Sequence, residues 1–355
     1  MRTIQKYIEQ IRPLDEQAMA EAQQRLDSLT KPPGSLGRLE VVARQVAGMT
    51  GGFEAAEGEN GILGNKAVVV MAGDHGVCEE GISAFPQEVT PQMVLNFLNG
   101  GAAVNVLARH AGAEVVCVDM GVCADMDHPD LVHRKIRKGT SNMVNGPAMS
   151  LEEAEQAVQT GFELVSGLAD QGYRIFATGE MGIGNTTASS ALLAVLAGIG
   201  LEQAAGRGTG INDATWRHKQ EVIRRAIETN QPDANQPLEV LAKLGGFEIA
   251  GLVGVILGAA ARKCPIVIDG FISSAAALVA SRLAPLATGY MLASHLSQEQ
   301  GHGQLLEAIG LTPMIHMDMR LGEGTGAVLS FHLVEAAMKI INEMATFESA
   351  GVSKA

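Results

Sequence analysis

The stretch KAVVVMAGDHGV, residues 66–77, is an apolar, β-branched run that stops at a Gly-Asp-His-Gly turn. A run with no polar alternation suits a strand buried on both faces, as at the centre of a parallel sheet. The pattern recurs downstream. EVVCVDMGV (114–122), RIFATGEMGIGNTT (174–187), PIVIDGF (265–271) and GYMLASHLS (289–297) are read as four further strands, and MIHMDMRLGEGTGA (314–327) as a last short extended piece entering a glycine loop. Between them lie helical segments at 103–110, 151–168, 188–196, 216–229, 238–244, 249–262 and 273–284. The helix at 151 opens with Ser150 and has Glu153 three residues later, a capping box. Strands alternating with helices mean an α/β protein, a parallel sheet with helices on both faces.

The two ends read differently. Ile4, Ile8, Ile11, Met19, Leu26 and Leu29 have helical spacing, broken at Pro13. KPPGSLGRLE (31–40) is a loop from which a helix restarts near Leu39, residues 51–65 form a polar linker, and 331–347 is a C-terminal helix. The expectation is a small helical domain from residues 1–60 with 331–355, flanking a large α/β catalytic domain over 61–330. The basic run HRKIRK (133–138) alternates around Ile136, as a half-exposed edge does.

Composition excludes several functions. The 355 residues carry 26 Lys plus Arg against 39 Asp plus Glu, so no global basic field exists to hold nucleic acid or an anionic membrane. Aromatic residues, at 4%, are too few for a base-stacking platform. The longest apolar stretch, Ile249 to Ala261, is too short to span a bilayer. Cys78, Cys117, Cys123 and Cys264 form no CxxC pair and read as reduced thiols. A cytoplasmic protein is expected.

In a parallel α/β sheet, ligands bind at the carboxyl ends of the strands. The glycine turns fall at those ends: Gly73-Asp74-His75-Gly76, Gly179 to Thr187, Asp269-Gly270-Phe271, Ser294-His295, and Gly322 to Gly326. Glycine lets backbone N–H groups approach an anion, and a following helix N-terminus favours phosphate. Each loop taken singly is as well explained as a structural turn, but five at one edge favour a phosphorylated small molecule. Neither GxGxxG nor GxxxxGK[ST] occurs, so a dinucleotide site and a P-loop are unsupported. Glu180 and Glu323 each sit inside a glycine-flanked turn. Partly desolvated there, a glutamate has a raised pKa and can act as a general base; the alternative is a loop carboxylate in water. Asp74-His75 reads either as a catalytic or metal pair or, the commoner case, as an aspartate pinning a loop. His295 and His302 have no carboxylate at metal-site spacing, and neither a metal nor a cofactor is expected.

KPPGSLGRLE, GDHGV (73–77), TGEMGIGNTT (178–187), GGFEIAGLVG (245–254), DGFIS (269–273) and MRLGEGTGA (319–327) stand together in an order and spacing that resemble the nicotinate-nucleotide–dimethylbenzimidazole phosphoribosyltransferase family. The resemblance runs from about residue 20 to 345. It implies a Rossmann-like parallel sheet with a small domain built from both termini, transfer of phosphoribosyl from nicotinate mononucleotide to 5,6-dimethylbenzimidazole, giving nicotinate and α-ribazole 5′-phosphate, and a homodimer. It implies that Glu323 is catalytic, with Glu180 as a second active-site glutamate. It places phosphate contacts on Gly182, Gly184, Asn185, Thr186, Thr187 and Lys219, and a base pocket at Phe85, Gln92 and Met93. Asp74, Asp269, Ser294, Gly322 and Gly324 complete the expected substrate-binding set. A reading from another class is a non-catalytic nucleotide-binding or regulatory protein that uses the same loops. The pair Glu180 and Glu323 favours the enzyme, because a binder of anions gains nothing from two carboxylates beside its ligand.

Overall fold

Residues 2–54, 64–208 and 210–353 are described by a computed structural model; the linker expected over 51–65 lies, for residues 55–63, outside them. The chain opens with α1 (Arg2–Ile8) and α2 (Glu16–Ser28), interrupted at Pro13 as the periodicity requires. Asp15 caps α2 by accepting the Ala18 N–H at 3.0 Å. α3 (Arg38–Thr50) follows. Then come β1 (Asn65–Gly73), α4 (Val89–Leu98), α5 (Ala103–Ala111), β2 (Ala113–Gly121) and the two-residue β3 (Val132–His133). α6 (Leu151–Asp170) starts at the Ser150/Glu153 capping box, with both reciprocal hydrogen bonds made. β4 (Tyr173–Met181), α7 (Asn185–Ala197), α8 (Leu201–Ala204), α9 (Asp213–Asn230), α10 (Pro237–Leu244) and α11 (Phe247–Ala261) lead to β5 (Ile266–Ile268). α12 (Phe271–Leu283), β6 (Met291–Ala293), α13 (His302–Ile309) and α14 (Thr325–Glu343) complete the chain.

The six strands form one parallel sheet in the order β3-β2-β1-β4-β5-β6. β1 is at its centre, and from Lys66 onward all its residues are buried. The strand alternation sends Val68 toward Gly324, at the start of α14, while Met71 faces Gly251 of α11. Helices therefore cover both faces, which is why the run at 66–72 shows no polar alternation. α11, buried nearly all round, presses on α6 backbone to backbone. A Cβ on Gly161 or Gly254 would come within 1.9 Å of a carbonyl oxygen of the other helix, so only glycine permits this approach.

Three features differ from the sequence reading. The last helix begins at Thr325 rather than near 331, because the Asp269 carboxylate accepts the N–H groups of Gly324 (3.1 Å) and Ala327 (3.0 Å) and anchors its first turn. The extended piece at 314 shrinks to an isolated parallel bridge between Ile315 and His295. α4 and α13 were not anticipated; Pro91 in α4 falls in the first turn, where its missing N–H costs nothing. The basic run continues β3 along the sheet edge, with Lys135, Arg137 and Lys138 paired to Asp119, Glu153 and Asp125. At the termini, α2 packs against α3 and α14, and Arg25 donates to the carbonyls of Ile341 and Met344. α14 also packs on α5, β4 and β5.

Candidate active site

β4 ends in the sequence Gly179-Glu180-Met181, and Glu180 pairs in register with Met71 of the neighbouring central strand. Its carboxylate is buried, 6% exposed. Oε1 accepts the N–H of Glu323 at 3.3 Å, and Oε2 accepts from the Asn185 amide. The two glutamates that sequence reading singled out, 143 residues apart, are thus joined directly. Burial, with the nearby Asp269 charge adding to it, pushes the Glu180 pKa up to about 8.

Glu323 stands in a loop of left-handed residues. Gly322 has φ +82°, and a Cβ there would lie 2.4 Å from Glu180 Oε1. Glu323 itself has φ +63°, an uncommon left-handed conformation for a non-glycine residue and a recurrent mark of functional positions. Its carboxylate reaches the first turn of α5, where Oε2 accepts the Val104 N–H at 3.4 Å. Burial raises its pKa above the ordinary carboxylate value, opposed by that hydrogen bond. Oε1 has no hydrogen-bond partner among the described residues.

Both carboxylates face a cavity of about 630 Å³ at the carboxyl ends of the strands. One lobe is apolar, walled by Phe85, Val89 and Met93. Phe85, half exposed, stands at its mouth. A second lobe runs under the α7 N-terminus along Gly182, Asn185 and Thr186 and continues into a small pocket of about 40 Å³ that adds Gly184, Arg207 and Lys219. Lys219, fully buried on α9, donates to Thr186 Oγ1 at 3.0 Å and the Gly206 carbonyl at 3.3 Å. Burial lowers its pKa to about 8, only partly offset by Glu299. A third lobe lies between the α12 N-terminus and the loop after β6, with Ser273, Ser297 and Arg320 on its walls, while Glu299 turns toward the second lobe, its carboxylate accepting the Gly208 N–H at 3.4 Å. The Ser273 hydroxyl is buried and has no partner among the described residues.

Other expected residues support the cavity without lining it. Asp269 holds the Glu323 loop as described, and Ser294 Oγ lies 3.4 Å from the Asp269 carbonyl oxygen and 2.9 Å from His295 Nδ1. Asp74 is buried and accepts the Cys123 N–H at 2.8 Å, a loop-pinning contact; burial raises its pKa. Beside it, His75 Nε2 meets Glu248 Oε1 at 2.6 Å, both wholly buried behind the glycine loop. Burial disfavours the imidazolium, but Glu248 outweighs it and the His75 pKa is raised. Thr187 is buried in α7, Gly324 is packed against Val68, and Gln92 lies on the exposed side of α4. The third lobe was missed by sequence reading. Its one local signal is the serine pair Ser273-Ser274, directly behind the strand-end turn DGF. No group of three or more His, Cys, Asp or Glu among the described residues is arranged to hold a metal ion.

A parallel α/β sheet with a basic, helix-capped pocket beside two buried carboxylates is suited to a phosphorylated substrate. The family model described as a phosphoribosyltransferase, DBI_PRT, matches residues 11–352, and the chain belongs to that family. More particularly, it is 54% identical over 355 residues to the nicotinate-nucleotide–dimethylbenzimidazole phosphoribosyltransferase of Chloroflexus aggregans, covering 100% of this chain and 99% of the relative. It is 52% identical to the protein of the same name from Desulforamulus reducens, over 100% of both chains. The crystal structure of the Thermus thermophilus protein of that name superposes with a TM-score of 0.89 at 45% identity, over 96% of this chain and 100% of that one. No helix among the described residues is long and apolar enough to cross a membrane.

Proposed function

We propose that this protein transfers the phosphoribosyl group of nicotinate mononucleotide to 5,6-dimethylbenzimidazole, releasing nicotinate and forming α-ribazole 5′-phosphate. The observation that carries the reading is the meeting of Glu180 and Glu323 on the wall of one cavity whose lining is apolar at Phe85, Val89 and Met93, basic toward Lys219 and polar at Ser273 and Ser297. The 5′-phosphate takes the basic lobe, where Lys219 acts as a point charge and the α7 N-terminus adds its dipole. The flat, apolar benzimidazole takes the lobe of Phe85, Val89 and Met93. The nicotinate ring is left with the lobe at the α12 N-terminus, and the ribose spans the carboxylates.

The nicotinate nitrogen is already cationic in the donor, so it leaves without a general acid. The incoming azole must lose its other N–H, and Glu323 takes that proton through the oxygen that Val104 leaves free. Glu180, held protonated near neutrality in the free enzyme by its burial, gives up its proton to solvent when the pyridinium ring of the donor arrives beside it, and the carboxylate so formed stabilises positive charge at C1. The helices of both termini form a small helical domain beside this centre, and the working unit is a cytoplasmic homodimer. Incubating the protein with nicotinate mononucleotide and dimethylbenzimidazole tests the reading. Release of nicotinate in step with a ribazole phosphate is expected, and donor hydrolysis without ribazole would overturn it.

A further inference from the structure

His302 is wholly buried at the start of α13 and takes no part in the chemistry above. Both its ring nitrogens are engaged. Nδ1 lies 2.8 Å from the backbone N–H of Ser297, and Nε2 lies 2.9 Å from Ser274 Oγ. A backbone N–H can only donate, so Nδ1 carries the lone pair, and in the neutral ring the proton sits on Nε2, donated to Ser274. The ring therefore ties the loop after β6 to the first turns of α12. These are the two walls of the third lobe, contributed by Ser297 on one side and Phe271 to Ser273 on the other. The same loop donates Gln298 N–H to the Met319 carbonyl, one residue before Arg320. From this geometry we infer that His302 is a positioning residue for the leaving-group lobe, a neutral two-ended clamp that sets its width without touching substrate. Burial, together with the neighbouring His295 ring 6.2 Å away, holds the ring neutral, its pKa pushed down to about 3.

The inference rests on the third lobe holding the nicotinate ring. His302→Leu fills the space but removes both bonds, whereas His302→Asn keeps an acceptor for Ser297 near the Nδ1 position. The leucine variant is expected to raise the KM for nicotinate mononucleotide by ~10-fold and to leave that for dimethylbenzimidazole within about twofold, with the asparagine variant restoring most of the donor affinity. An equal rise in both KM values, or an asparagine variant no better than leucine, would overturn the role. A second readout stands apart from the reaction assigned above. Nitrogen-15 NMR of the substrate-free enzyme should show the His302 ring as the Nε2–H tautomer from pH 5 to 8. An Nδ1–H tautomer, or titration in that range, would remove the clamp even if transfer proceeds as proposed. Wild-type transfer in the same mixtures separately checks the function.

Discussion

In the mechanism proposed above, replacing Glu323 by glutamine removes the proton acceptor and little else. Both side chains have the same length, and the glutamine carbonyl can still accept the Val104 N–H that now meets Oε2 at 3.4 Å. Both residues also bear the same backbone cost at φ +63°, so loop strain cancels from the comparison. What is lost is general-base catalysis, worth ~10²–10⁴-fold in turnover, or about 2.7–5.5 kcal/mol of barrier at 1.36 kcal/mol per tenfold. The raised pKa of Glu323 adds a pH signature. A base must be ionised, so Glu323 adds an acidic limb to the wild-type kcat/KM profile that ends once its raised pKa is passed, and the variant should lose that limb and keep only the rise that ionisation of Glu180 contributes near about 8. Steady-state kinetics of both proteins across pH, with the KM of each substrate followed separately, make the measurement. Glutamine turnover within about threefold of wild type, or an unchanged acidic limb, would take Glu323 out of the mechanism.

Lys219→Ala should raise the KM for the mononucleotide while barely changing the binding of dimethylbenzimidazole alone. In the wild type, donor affinity should weaken as pH rises past about 8, because the buried ammonium then loses the proton that pairs with phosphate; equal weakening of both ligands in the variant would indicate misfolding. Activity should survive exhaustive chelation, since the donor has no pyrophosphate and its leaving group is already cationic; loss restored by magnesium would refute this. Glu180 has a folded pKa of about 8, above its ordinary value of 4.5, so its stabilising contribution is complete below that ordinary value and fades as pH rises through the folded one. Glu180→Gln should accordingly gain Tm relative to wild type at pH 8 compared with pH 5, read by calorimetry. The isolated product should be the α-anomer by its proton NMR coupling, from a single in-line displacement that puts the azole and nicotinate lobes on opposite sides of the ribose; a β-linked product or a ribosyl adduct on Glu180 would mean retention.

The strands were legible because a central parallel strand must be apolar on both faces, and β1, β2 and β4 carry that run in their own residues. Helix starts with side-chain caps, such as Ser150 with Glu153, were legible for the same local reason. α14 was placed six residues late because its first turn is anchored by Asp269, a residue 55 positions away that local periodicity does not register. The glycine loops could be placed at the strand ends, but which of their residues face the ligand could not. Gln92 shares α4 with the cavity residues Val89 and Met93 yet points into solvent, and Asp74, in a strand-end glycine turn, pins the loop after β2 by accepting the Cys123 N–H.

From the sequence alone come the α/β class, the placing of glycine turns at the carboxyl ends of the strands, and the singling out of Glu180 and Glu323 as candidates. Each of these is written in contiguous residues, as hydrophobic period, turn chemistry or a glycine-flanked acid. The tertiary structure alone decides that the two glutamates touch, that Lys219 reaches Thr186 from 33 residues away, and that Ser273, Ser297 and Arg320 wall a third lobe. It also decides the protonation of the site. Desolvation and neighbouring charge are properties of what the fold packs around a group, so the raised pKa of Glu180 and the lowered pKa of Lys219 exist only once distant segments have closed over them.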